Sequence, residues 1–123
     1  MRLDHLDLHV PNVLETRDFF ATHFNLVPTE TRGSGLAILR DDAGLELVIS
    51  RPVAKFGGAD TPTAGRNTYH VGFTLNARAD VDRLHTALTT AGTEIWMPPR
   101  EMRGMWLFYC FAPGRILVEV RAP

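Results

Sequence analysis

The chain has one cysteine, no long apolar run and no excess of charge of either sign, and each scarcity removes a class of explanation. A lone Cys110 excludes an internal disulfide. Its neighbours Leu107, Phe108, Tyr109 and Phe111 point to a buried thiol serving as a small hydrophobe rather than a reactive one. Lysine and arginine together number 13 against 14 aspartates and glutamates, a formal net charge of -1, and form no basic patch, so no nucleic acid is expected as a partner. No apolar stretch reaches membrane-spanning length and no charged-then-apolar segment opens the sequence, so the expectation is a cytoplasmic protein with no membrane partner. At 123 residues and 45% hydrophobic, a single domain with a substantial core is expected.

What is present is organised around residues 3–10. Successive side chains of an extended segment point to opposite faces, so Leu6, Leu8 and Val10 share one side while His5, Asp7 and His9 share the other. One side seeks a core, and the other offers two imidazoles and a carboxylate in a row.

Pro11 and Asn12 break the alternation. Asn12 is a good helix N-cap, answered three residues later by Glu15, and Val13, Phe20 and Phe24 recur at helical spacing, which predicts a helix to about Asn25. Strands are expected over 26–32, 36–39 and 45–50, with turns at 33–35 and 41–44. Residues 51–66 are rich in Pro, Gly, Ala and Thr and read as a linking loop. Alternation returns over 67–75, placing His70 with Thr68, Gly72 and Thr74. Asn76 is then expected to cap a helix with Val81, Leu84, Leu88 and Ala91 on its apolar side, ended by Gly92. Three more extended pieces, 93–97, 105–111 and 115–121, are separated by Pro98-Pro99 and Pro113-Gly114.

Both halves therefore read strand, helix, strand, strand, strand. The expected fold is α+β: two βαβββ modules, 1–50 and 67–123, forming a cupped, mostly antiparallel sheet with helices on the outer face. A histidine stands in the opening strand of each half and a glutamate in the closing strand: His5 with Glu46, and His70 with Glu119. Taken singly, each histidine reads more readily as a hydrogen-bonded structural residue than as a ligand. Glu46, among Leu45, Leu47, Val48 and Ile49, is costly to bury unless paired or bound to a cation. Its alternatives are an exposed face or an ion pair with Arg40 or Arg121, and Glu119 invites the same two readings. Together, two imidazoles and two carboxylates suit a divalent first-row metal.

His5 followed by Pro11-Asn12-Val13-Leu14 and Asp18-Phe19-Phe20, the strand Tyr69-His70-Val71-Gly72-Phe73, the turn Ala91-Gly92-Thr93-Glu94-Ile95 and the closing run from Ala112 to Glu119 resemble the vicinal oxygen chelate superfamily. That group includes glyoxalase I, fosfomycin-resistance enzymes, extradiol dioxygenases and bleomycin-binding proteins. The resemblance implies one divalent metal per site (Ni, Co, Zn, Mn or Fe) and a homodimer with shared sites. In such dimers His5 and Glu46 come from one chain and His70 and Glu119 from the other. The four-ligand pattern is most similar to glyoxalase I. Fosfomycin-resistance enzymes and extradiol dioxygenases resemble the chain at His5, His70 and Glu119 but lack a ligand at Glu46. Bacterial glyoxalase I has an arginine where this chain has His9 and an asparagine where it has Ser50, both used to hold glutathione.

The function expected is that of a glyoxalase-like isomerase or lyase acting on a small oxygenated substrate through a metal-stabilised enediolate, with Glu119 or Glu46 as general base. Asp7, His9 and Thr68, together with Trp96, Met105, Trp106 and Tyr109 from the late aromatic and methionine-rich segment, are expected to line the substrate pocket. Two alternatives stand beside it: a protein that sequesters a small molecule without chemistry, and a thiol transferase of the fosfomycin-resistance kind.

Overall fold

Asn12 opens the first helix as its position predicts: its backbone is extended (φ -126, ψ 97) and its side-chain oxygen accepts from the Glu15 amide at 3.1 Å. The helix, α1 (Val13–Phe24), ends on Asn25 in the left-handed region, φ 55. The computed structural model describes residues 1–52 and 69–123. The loop expected over 51–66 and the candidate Thr68 lie outside these described residues, apart from Arg51 and Pro52.

The chain divides into two compact units, Met1–Pro62 and Thr63–Pro123. In the first, β1 (His5–His9) precedes α1 and is followed by β2 (Val27–Arg32), β3 (Leu36–Arg40) and β4 (Glu46–Ser50). These strands form one sheet in the order β1-β4-β3-β2, in which β1 runs parallel to β4 and the other pairs are antiparallel. The second unit repeats the plan with β5 (Val71–Thr74), α2 (Arg78–Thr90), β6 (Ile95–Met102), β7 (Met105–Ala112) and β8 (Ile116–Ala122), in the order β5-β8-β7-β6. Here β5 is parallel to β8. The architecture is thus α+β and built of two βαβββ modules, each with a mixed sheet in which antiparallel pairs predominate.

Each core lies on one face of its sheet. In the first unit Leu8, Val10, Ala37, Leu39, Leu47 and Ile49 are buried, as are Val13 and Phe20 of α1. Leu6 shares the side of Leu8 but stays 40% exposed. In the second, Val118 and Val120 of β8 and Phe108 and Cys110 of β7 are buried with Val81 and Leu88 of α2.

Two expectations need correction. The cap of α2 is Ala77 rather than Asn76, and it makes no side-chain cap bond. Ala91 follows the helix as an exposed C-cap, and Gly92 at φ 82 takes the left-handed turn that stops it. Pro98-Pro99 does not end a strand, because β6 runs through it. The strand lies at the sheet edge, where a proline needs no ladder donor, and its register with β7 shifts between Ile95 and Met97 and again between Met97 and Arg100.

Phe108 is fully buried. Phe108→Ala should therefore lower stability in urea denaturation by about 3–5 kcal/mol, whereas Leu6→Ala at a half-exposed site should cost under about 1 kcal/mol. Burial also pushes the Cys110 thiol up to about 12. Iodoacetamide at about pH 8 should leave it unmodified in the native protein and alkylate it fully in denaturant, as intact-mass measurement would show.

Candidate functional site

Strand pairing sorts the polar residues into tiers on the sheet face opposite each core. In the first unit His5 is registered with Glu46, Asp7 with Val48 and His9 with Ser50, and β3 adds Arg40, Ile38 and Leu36 at the same levels. In the second, Gly72 is registered with Glu119 and Thr74 with Arg121, with Tyr109 and Leu107 of β7 alongside. The glutamates are therefore not at equivalent positions in the repeat. Glu46 stands level with its histidine, whereas Glu119 stands one pleat further along, where the first unit has Val48.

This offset changes what each carboxylate meets. Glu119 has a side chain only 9% exposed, and its Oε2 lies 3.3 Å from His70 Nε2. The Tyr109 hydroxyl donates to the same oxygen, and Arg121 Nη1 lies 3.5 Å from Oε1. Burial, followed by this bond to Glu119, pushes the Tyr109 phenol up to about 12. The imidazole of His70 and the indole of Trp96 both meet the Tyr109 ring edge-on, with centroids 5.6 Å and 5.5 Å away.

In the first unit the donors are held sideways. Glu46 Oε1 pairs with Arg40 Nη2 at 2.5 Å, one of the two arginine partners foreseen. His5 is exposed, and its Nδ1 lies 2.8 Å from Asp4 Oδ1, which leaves Nε2 for a ligand. That contact holds the Asp4 carboxyl below its ordinary range. Further along β1, Ser50 Oγ donates to Asp7 Oδ1 at 2.7 Å, and His9 Nε2 lies 3.8 Å from Asp7 Oδ2.

The aromatic candidates separate. Tyr109 bonds Glu119 and Trp96 meets the Tyr109 ring, while Met105 follows the alternation of Tyr109 on β7 at its far end. Trp106 lies on the opposite face: its indole donates to Asp82 of α2 at 2.8 Å, and the Arg78 guanidinium sits 5.8 Å from its ring centre. Arg121 beside Glu119 is the arginine neighbour that the sequence offered as an alternative, whereas Asp4, and Tyr109 as the hydrogen-bond partner of Glu119, were not assigned these roles from sequence. The adjacency of Asp4 to His5 was the one visible signal for the first, while the second depends on register.

Among the described residues no group of three or more His, Cys, Asp or Glu gathers as a metal site. Each unit instead offers a pair. The 3.3 Å between His70 Nε2 and Glu119 Oε2 fits neighbouring ligands of one ion, which at bond lengths near 2.1 Å lie about 3 Å apart. By donor type, His5 and Glu46 suit the same class of metal.

None of the curated proteins matches the chain. Among solved structures, a possible glyoxalase from Bacillus cereus is 30% identical, with a TM-score of 0.81 over 98% of this chain and 97% of that one. The FosX fosfomycin resistance protein from Listeria monocytogenes (21% identity, TM-score 0.79, 100% and 93% covered) shares the fold. So does lactoylglutathione lyase from Agrobacterium tumefaciens (16% identity, TM-score 0.76, 98% and 92% covered). The family model for the Glyoxalase/Bleomycin resistance protein/Dioxygenase superfamily matches residues 2–120, nearly the whole of the repeat described above, and the chain belongs to that superfamily.

Proposed function

We propose that the protein is a metal-dependent isomerase or lyase of the glyoxalase type, acting on a small oxygenated substrate by removing a proton beside a carbonyl. The observation that carries this reading is the His70 and Glu119 pair, an imidazole nitrogen and a buried carboxylate oxygen 3.3 Å apart on one sheet face. The residues that would hold the ion are His5, Glu46, His70 and Glu119, a donor set that nickel, cobalt, zinc, manganese and iron all accept. A divalent cation bound there would supply Lewis acidity to adjacent oxygens of the substrate.

Glu119 is the general base. Its Oε2 accepts from the Tyr109 hydroxyl, which fixes the carboxylate for proton removal. Glu46 is the second base candidate, available once Arg40 releases it. Trp96 and Tyr109 present an aromatic surface to the substrate beside Glu119. The two donor pairs belong to different units, and the reading completes the site across a homodimer, with His5 and Glu46 from one protomer and His70 and Glu119 from its partner. The exposure of Trp96, 61%, favours a second reading in which the protein binds and sequesters a small molecule without chemistry.

Equilibrium dialysis against each of the five metals should leave one ion per chain, lost in His70→Ala. Glu119→Gln should slow isomerisation of thiol adducts of methylglyoxal by about 10²–10⁴-fold. No stoichiometric metal, with chelator leaving stability unchanged, would support sequestration instead. Sharing across the dimer predicts complementation. Mixed His5→Ala and His70→Ala protomers, each inactive alone, should regain about a quarter of wild-type activity, since half of the dimers then carry one intact site; sites confined to one chain would regain none.

A further inference from the structure

The alternation of β1 brings Asp7 to the same face as His5, one pleat further along. Its side chain is 45% exposed, yet one end of the carboxylate is anchored. Ser50, whose exposure is only 9%, donates from Oγ to Oδ1 at 2.7 Å and fixes the carboxylate plane. Oδ2 faces His9 Nε2 at 3.8 Å, beyond hydrogen-bond reach, and so keeps its lone pairs for a ligand. Among the described residues no lysine or arginine lies within ion-pair distance of Asp7, although Glu46 on the same face is neutralised by Arg40 and Glu119 in the other unit lies beside Arg121.

The internal repeat sharpens the contrast. Where the first unit has Asp7, His9 and Ser50, the second has Gly72, Thr74 and Arg121. Arg121 is itself engaged, with Nε donating to Thr74 Oγ1 at 3.3 Å and Nη1 near Glu119. At the level of Asp7 the second unit carries its carboxylate on β8 instead, as Glu119 beside Arg121, whereas Asp7 has His9 and no arginine for a neighbour.

We infer that Asp7, anchored by Ser50 and flanked by His9, is a specificity subsite for an ammonium-bearing end of the substrate. This rests on the lyase reading above and names its substrate class: a small molecule with adjacent oxygens for the metal and a positively charged tail. An anionic tail meets like charge at Asp7 and is rejected.

Binding of three short hydroxamates to the metal-loaded protein, followed by calorimetry, tests this without requiring turnover. Each carries the same pair of adjacent oxygens, and their tails end in an ammonium, a hydroxyl or a carboxylate. The ammonium probe should bind about tenfold more tightly than the carboxylate probe. Asp7→Asn should bring the ratio close to one, and Ser50→Ala should reduce it by loosening the carboxylate; circular dichroism would check that both variants fold. Tight binding of all three probes with no charge preference, or a preference that survives Asp7→Asn, overturns the subsite alone. Failure of every hydroxamate to bind, together with absence of metal, overturns the lyase reading and the subsite with it. A preserved charge preference without turnover of any methylglyoxal adduct overturns the lyase chemistry and leaves the subsite standing.

Discussion

The constraint on which the second unit depends is the burial of one carboxylate in an apolar strand. Glu119 lies between Val118 and Val120, both fully buried, in the strand that pairs with β5 on one side and β7 on the other. Taking a carboxylate out of water costs several kcal/mol unless hydrogen bonds and opposite charge replace the lost hydration. The Tyr109 hydroxyl from β7, the His70 imidazole just before β5 and the Arg121 guanidinium from β8 itself supply those replacements. A carboxylate so enclosed has a fixed direction, and this is what makes it useful as a ligand or base.

The first unit solves a related problem differently. Glu46 is level with His5 instead of one pleat beyond it, so the neighbour across its other strand is Arg40, and the carboxylate pairs sideways. The duplicated architecture has thus been filled with unlike chemistry. One unit carries a buried carboxylate against an imidazole, and the other carries an exposed histidine, an ion-paired glutamate and an anchored aspartate.

Much of this was legible in the sequence. The alternation around His5, the Asn12 cap, the break at Gly92 and the order of elements all rest on local periodicity and turn chemistry, which the tertiary structure did not override. Sheet register was not legible. A shift of two residues keeps every side chain on its face, so Glu46 and Glu119 look equivalent in the pattern although pairing sets them one pleat apart. The same limit hid the bond from Tyr109 to Glu119 and left the faces of β7 unassigned, so that Trp106 was grouped with Tyr109 although it packs on α2. Pro98-Pro99 misled because a proline pair reads as a break unless the strand is known to lie at an edge.

The central proposal is that His5 and Glu46 of one protomer and His70 and Glu119 of its partner hold one divalent ion. A crystal structure of the cobalt-loaded protein, with anomalous scattering at the cobalt edge, tests it most directly. The account predicts a single peak per site, about 2.0–2.2 Å from Nε2 of His5, Nε2 of His70 and a carboxylate oxygen each of Glu46 and Glu119. No peak at those residues, or cobalt bound instead at Asp7 and His9, would contradict it.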